Sequence, residues 1–365
     1  MVLIQRLRNL PAAFRASAQR DVKPLRFVVY SIGFFLFINV GNGFCKDSRD
    51  DWDRISGPIP IVNQTPSQLL FLQPVPDRAE PHPENRYSLS LTTAITNTLQ
   101  WGKSDNYYAC VDMEMIRTSL EVKYGIFSGA DIGMSIPFVH CYAGVMDHSI
   151  LEFEEWFNAT RDLREKQEQY GTANTYTYFV KKNGKTFIEC KEPSSGLGDL
   201  ALTVKGKIWD EGDRAPCLSA RFSVKIPTGD EDKAFGSGEV DYGIGLLLQK
   251  TVNRATAYLN ADVIFPGQAF EQVDVSLRTF CEIMLGAEYK LSERFSGLMQ
   301  LYYITRPFED TGLEMLDKRI FNLLLGVSYL TKTGLYLQGG LVEDFYDSSN
   351  AGADITFFLN VGKNF

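Results

Sequence analysis

Outside its amino-terminal leader the chain has no run of 18 or more apolar residues, which excludes a bundle of membrane-spanning helices. It has only three histidines, leaving little material for imidazole chemistry, and no Gly-x-Ser-x-Gly elbow that would mark a serine hydrolase. Positive charge is in deficit, with 37 Lys and Arg against 45 Asp and Glu. An acidic chain argues against a nucleic-acid partner. No clustered His and Cys spacing points to a metal, and nothing in the sequence calls for a cofactor.

What is present is alternation. From Ile355 to the carboxy terminus, Ile355, Phe357, Leu359, Val361 and Phe365 share one face, while Thr356, Asn360, Gly362 and Asn364 share the other with a single Phe358. A soluble edge strand would fray at a terminus. The closing strand of a transmembrane barrel keeps an apolar face toward lipid and a polar face toward the lumen up to its end. Phe365 is the expected assembly signal. Lys363 departs from the apolar stripe, and a lysine near an interface can snorkel.

The same pattern recurs upstream, from Tyr87 through Ile95, in 111–124 and in 131–139. Further strands are expected at 199–209, 217–227, 239–250, 255–265, 272–290, 295–306, 318–330, 334–343 and 353–365, which makes about twelve in all. In 111–124 the apolar phase slips between Met115 and Ile116, which predicts a bulge there. Every second link is short: 125–130, 210–216, 251–254, 291–294 and 331–334. The others are mostly longer and polar. Short periplasmic turns alternating with long extracellular loops are a barrel's habit. Tyr124, Phe127, Trp209, Tyr289, Phe295, Tyr329 and Phe365 would form an inner aromatic girdle, and Trp101, Phe265, Tyr303 and Phe345 part of an outer one. The fold class expected is an all-β, antiparallel transmembrane barrel with a long extracellular loop containing a helix and a hairpin.

Around the barrel region (87–365) three segments stand apart. Residues 1–43 read as a signal peptide, a basic leader followed by an apolar core from Phe27 to Val40 and small residues at Gly41 and Gly43; a membrane anchor is the other reading. Their removal takes away six basic side chains and Asp21, so the formal charge goes from −8 to −13. Cys45 lies beside the cleavage site, but Phe44 before it does not suit a lipoprotein signal. Export permits disulfides, with Cys110, Cys141 and Cys190 near outer loops and pairing open. Residues 44–86 carry prolines at 58, 60, 66, 74, 76, 81 and 83, too many for regular strands. They form a periplasmic lead-in or a plug. The long loop, 142–196, has a helical stretch over 147–169 and a hairpin over 176–190 turning at Asn183-Gly184.

Two motifs stand out: Gly196-Leu197-Gly198-Asp199, and Lys225-Ile226-Pro227-Thr228-Gly229-Asp230 leading to Gly236-Ser237-Gly238. Together with Gly57-Pro58-Ile59-Pro60-Ile61-Val62-Asn63-Gln64, they resemble the uncharacterised bacterial family known as domain of unknown function 3187. They are also similar to outer-membrane proteins associated with phenol degradation. The resemblance implies an outer-membrane barrel of a Gram-negative bacterium and brings no catalytic residues with it. Its motif residues are Gly196, Gly198, Asp199, Pro227, Thr228, Gly229, Asp230, Gly236 and Gly238. Read physically, Pro227 ends a strand and Thr228-Gly229-Asp230 turns into a loop. A phosphate-cradling loop would need a helix start and a Lys-Ser/Thr pair, both missing.

The inward face is expected to carry the lumen-lining charges Asp112, Glu114, Arg117, Glu121, Lys205, Lys207, Arg221, Lys225, Asp274, Arg278, Glu282 and Glu288. Buried charges persist only when paired or wet. Basic strands set against acidic ones would put a transverse field across the bore, with a salt-bridge network filling the lumen as the plainer reading. The function expected is a passive channel for small polar or aromatic solutes, and not an enzyme. His140 and His148-Ser149 are the sole nucleophile-and-base material. A non-conducting structural or surface-recognition barrel is the alternative. Expected partners are outer-membrane lipid and lipopolysaccharide, the barrel-assembly machinery and a small-molecule solute of unknown identity.

Overall fold

Strand alternation builds the wall seen in the computed structural model, which describes residues 57–148, 150, 152, 174–344 and 352–365. The expected signal peptide, Cys45, Phe345 and most of the 147–169 helix fall outside the described residues. Among the described residues fifteen strands form: β1 (Tyr87–Lys103), β2 (Tyr107–Phe127), β3 (Ala130–Tyr142), β4 (Thr177–Lys182), β5 (Lys185–Glu189), β6 (Ser194–Leu197), β7 (Leu200–Trp209), β8 (Cys217–Ile226), β9 (Asp241–Val252), β10 (Ala255–Phe265), β11 (Phe280–Lys290), β12 (Phe295–Ile304), β13 (Ile320–Leu330), β14 (Leu335–Asp344) and β15 (Ile355–Asn364). Twelve of them pair antiparallel around a closed ring in the order β1-β2-β3-β7 and onward through β15, which returns to β1. Closure leaves the ring no unpaired edge.

The turns at one end are short, and the β9–β10 and β13–β14 turns carry Asn253 (φ 56°) and Gly334 (φ 79°) in the left-handed region that tight hairpins require. Tyr124, Phe127, Trp209, Tyr289, Phe295, Tyr329 and Phe365 all stand exposed on the outside at that end, as an interfacial girdle does. The ring is sealed there by Phe365, whose N–H donates to Tyr87 O (2.8 Å) and whose carbonyl accepts from Tyr87 N (3.3 Å). The two rings stack at 4.6 Å and 9°, and Lys363 Nζ lies 5.0 Å over Phe365. Deleting Phe365 removes both seam hydrogen bonds and the stack. Heat-modifiable barrel recovered from the cell envelope is expected to fall several-fold; equal recovery would dismiss the seam as a determinant of assembly.

Three sequence expectations are corrected. The bulge at Met115-Ile116 does not form: β1 and β2 pair in unbroken register from Tyr87↔Tyr124 to Lys103↔Tyr108. Val111, Met113 and Met115 therefore share the inward face with Arg117 and Glu121, in an apolar cluster with Leu70, Phe71 and Phe235. Asp112 and Glu114, expected in the lumen, lie on the outward face. Thr175 Oγ1 donates to Asp112 Oδ2 (2.8 Å), and the N–H groups of Val145 and Met146 donate to Glu114 Oε1 (2.8 and 2.5 Å), so the loop after β3 covers them. The strand expected over 272–290 begins at Phe280. Positive φ at Phe270 (66°) and Asp274 (53°) breaks an extended path. Asp274 and Arg278 consequently sit exposed in the β10–β11 loop and not on the lumen wall.

At the long-loop end the β4–β5 hairpin extends from β2, turning at Asn183 (φ 49°) and Gly184 (φ 79°). A chain of rings runs from it into the interior: Phe187 to Phe270 (5.2 Å), Phe270 to Phe308 (6.3 Å), Phe308 to Phe71 (5.6 Å) and Phe71 to Phe280 (6.2 Å). Leu313, Met315 and Leu316, around the short helix Glu314–Asp317, pack into the same cluster.

Candidate functional site: the barrel interior

Residues 57–82 lie inside the ring. Ile59 N–H donates to Gln300 Oε1 (2.6 Å), Asn63 Nδ2 to Asn322 Oδ1 (2.5 Å) and Ala353 N–H to Thr65 Oγ1 (3.2 Å), which traces an ascent along β12–β15. The segment crosses at the long-loop end, where Lys225 Nζ donates to Leu70 O (2.7 Å) and Leu72 N–H donates to Asp241 Oδ2 (2.7 Å). It descends past Val75, whose carbonyl accepts from Arg221 (2.6 Å), and Ala79, whose carbonyl accepts from Ser219 Oγ (2.5 Å). It leaves at His82 beside Asp131. The prolines that keep this segment out of the ladder also stiffen it. Among the described residues no backbone–backbone hydrogen bond joins 57–82 to the wall; side chains hold it. Ile59 and Ile61 fill a second apolar cluster with Tyr258, Met284, Leu298, Leu324 and the inward Phe358.

The inward charges form a belt fixed by strand register. Asp131↔Lys205, Lys205↔Arg221, Arg221↔Gly245, Gly245↔Asp262 and Asp262↔Glu282 are successive cross-strand neighbours. Such neighbours stand ~5 Å apart at Cβ. Arg221 reaches across Gly245 to Asp262, with Nε donating to Oδ1 (2.7 Å) and Nη2 to Oδ2 (2.5 Å), a bidentate pair of the strong kind. A side chain at Gly245 would collide with the Asp262 carboxylate. Lys205 Nζ bonds Asp77 Oδ2 (2.6 Å) and Arg78 O (3.0 Å) and lies 3.3 Å from Asp131. Lys123 pairs with the other Asp77 oxygen at 2.7 Å. Burial would raise the Asp77 pKa, but the two ammonium groups outweigh it and hold the carboxyl well below its ordinary value. His82 is lowered to about 4, chiefly by burial, against the opposing pull of its Asp131 hydrogen bond. Its Nδ1 is 3.0 Å from Asp131 Oδ2 and its Nε2 2.7 Å from Ser88 Oγ.

The remaining expected residues are placed as follows. Lys207 pairs with Glu80 (2.9 Å) and Asp210 (2.5 Å). Glu121 accepts from Ser135 Oγ (2.6 Å), and Glu288 from Tyr258 OH (2.9 Å). Among the described residues Glu282 Oε1 is buried without a hydrogen-bond partner. Lys123, Lys205, Lys207, Arg221 and Lys225 are thus paired with acids of the wall and of the interior segment, which leaves Arg117 as the expected basic residue on the lumen wall without an ion pair among the described residues. Sequence reasoning missed Asp77, Glu80 and His82. A charge inside a proline-dense stretch was the one available signal. His140 Nδ1 lies 2.7 Å from Ser195 Oγ, both at outward positions, away from this interior.

The motif residues converge on one latch beneath the long loops. Asp199 accepts from Gly229 N–H (2.9 Å) and Lys225 Nζ (2.7 Å), and Lys225 also bonds Ser237 Oγ (2.6 Å) and lies 3.3 Å from Asp241. Thr228 Oγ1 accepts from Leu200 N–H (3.0 Å) and donates to Gly198 O (2.9 Å). A Cβ on Gly236 would strike the Asp199 carboxylate, and one on Gly196 would press the Phe235 ring at 3.0 Å. Asp230 caps the turn Glu231–Lys233, Gly238 takes φ 75°, and Pro227 directly follows β8. Asp241 accepts from Gly267 N–H (2.8 Å) and Leu72 N–H, so the latch ties three loops to the interior segment.

Comparison with known proteins adds a family and a fold. The model of the family described as "Protein of unknown function (DUF3187)" matches residues 48–365. No curated protein matches the chain. Among solved structures, an outer membrane channel from Pseudomonas putida F1 aligns at a TM-score of 0.52 and 12% identity, over 80% of this chain and 100% of that one. The Pseudomonas putida toluene transporter TodX aligns at 0.39 and 9%, over 78% and 91%. The NanC porin aligns at 0.43 and 9%, over 75% and 98%. At such identities the first of these shows a shared barrel fold, and the other two carry no argument.

Proposed function

This chain belongs to the DUF3187 family, and on that footing we propose that it is an outer-membrane channel of a Gram-negative bacterium for small polar or aromatic solutes, closed at rest by its own residues 57–82. The observation that carries the reading is how that segment is held. Side chains of the wall satisfy its backbone, and it contributes no strand to the ladder. It can therefore leave without breaking the ring, and the polar groups it vacates would line a wet bore. The aromatic solute class rests on the likeness of the motifs to phenol-degradation-associated proteins. Lipid and lipopolysaccharide would surround the exposed apolar wall, and the barrel-assembly machinery would recognise the closing strand.

Reconstituted in planar bilayers and in liposomes, the intact protein is expected to give infrequent, brief openings and slow solute-dependent swelling. A filled interior also suits a non-conducting structural or surface-recognition barrel. Complete absence of both openings and swelling would transfer the argument to that reading.

A further inference from the structure

Above the charge belt, between the interior segment and strands β2, β3 and β4, lies a cavity of about 50 Å³. Its walls are mostly apolar, with Leu69, Phe71, Met113, Met115, Val139 and Phe235 prominent among them. Its polar groups divide sharply into satisfied and orphaned. Lys225 and Asp199 face it but are saturated by each other and by the latch. Arg117 also lines it, yet among the described residues its guanidinium makes no side-chain hydrogen bond, and no carboxylate lies within ion-pair distance. Glu121, on the same face of β2, acts on it only through space. Tyr178 contributes a buried hydroxyl, and Gln73 a buried Oε1, each with no hydrogen-bond partner among the described residues.

Unpaired polar groups against an apolar wall are costly, and here one of them, the half-buried Arg117, carries a full positive charge. We propose that this cavity is a binding site for a small monocarboxylate with an apolar tail. Its carboxylate would accept from Arg117 and the Tyr178 hydroxyl, while the tail lies against Met113, Met115 and Phe71. A hydroxyl on the tail would donate to Gln73 Oε1. The volume sets the size: a water needs ~10–15 Å³ of such space, so the cavity holds a few water-sized groups, an acid of acetate or propionate dimensions. Neutral apolar solutes would leave the guanidinium unpaired, and amines would meet it as a like charge. The inference rests on reading the interior as a solute path and names the solute class at one point along it.

Ligand-detected magnetisation-transfer NMR on the full chain refolded in detergent tests this with sodium propionate, n-propanol and propylamine. Propionate is expected to bind at least tenfold more tightly than n-propanol, with propylamine not binding. Arg117→Met should abolish propionate binding and Arg117→Lys should retain part of it, each checked for heat-modifiable folding. Should Arg117→Met fail to fold, Tyr178→Phe provides the second variant, with propionate binding expected to weaken several-fold. Equal binding of propionate and n-propanol, no binding of propionate, or propionate binding undiminished in a folded Arg117→Met or Tyr178→Phe barrel would each overturn the inference. Binding is read without flux, so a barrel that conducts but ignores propionate removes this inference alone. A barrel that binds propionate but passes no solute removes the channel reading alone.

Discussion

Lys225→Met is expected to lower the unfolding free energy of the barrel by ~3–5 kcal/mol, the cost of breaking a buried ion pair by removing one partner. The Lys225 and Asp199 side chains are each 3% exposed and that of Asp241 is 0% exposed, so no water replaces the lost ammonium. Two carboxylates would be left facing each other, and Leu70 O and Ser237 Oγ would lose a donor. Methionine fills most of the volume, so the loss is electrostatic and not a cavity. Urea unfolding in lipid, with Lys207→Met as the control, checks this. Lys207 pairs with Asp210, which is 80% exposed, and pairs open to solvent contribute ~0–1 kcal/mol. Equal destabilisation by the two substitutions would show that the latch is no stronger than a rim contact. Adding Asp199→Asn to Lys225→Met should recover part of the loss, because one orphaned charge is then gone.

The wall was legible in the sequence wherever one face meets lipid and the other meets water. That contrast holds from β7 to β10 and along β15, where Leu202, Val204, Phe222 and Phe357 stand exposed and Lys205, Arg221 and Asn360 are buried. Legibility failed where the interior is not aqueous. Met113 and Met115 point inward because Leu70 and Phe71 of the interior segment supply an apolar partner. Alternation alone cannot distinguish that from a lipid-facing stripe, so Asp112 and Glu114 were assigned to the wrong face. Phe358 is inward for the same reason, against Ile59. In 272–279 the alternation of Val273, Val275 and Leu277 with Asp274, Ser276 and Arg278 is real. It arises from a loop packing one side onto the aromatic cluster, not from a strand.

The pairing of interior charges was out of reach for a different reason. Arg221 and Asp262 are partners because β9 offers Gly245 between them, a relation that exists only once three strands are in register. The same holds for the motif glycines. Gly229 and Gly236 both fit around one carboxylate, that of Asp199, from a loop far along the chain. Sequence reading placed Gly229 in a turn; three-dimensional closure gives it and Gly236 a common partner.

Deleting residues 57–82 is expected to leave a folded barrel and convert rare openings into a steady, resolvable conductance. The energetic case turns on water. With the segment in place, Lys205, Arg221 and Lys225 are buried and satisfied partly by its carbonyls and by Asp77. Its removal takes those acceptors away but admits solvent to the same atoms, and a solvated cation does not carry the penalty of a buried one. This is why losing the whole segment should be tolerated better than losing the single ammonium of Lys225 beneath a closed latch. The ring keeps its full ladder, since among the described residues no backbone–backbone hydrogen bond joins the segment to the wall. The outward girdle is untouched as well. Planar-bilayer recording of intact and deleted proteins, each heat-modifiable, reads the outcome. Steady conductance in the deletion with brief openings in the intact chain supports self-closure. A folded deletion variant no more conductive than the intact protein would mean that the capping cluster from Phe187 to Phe308 closes the bore instead.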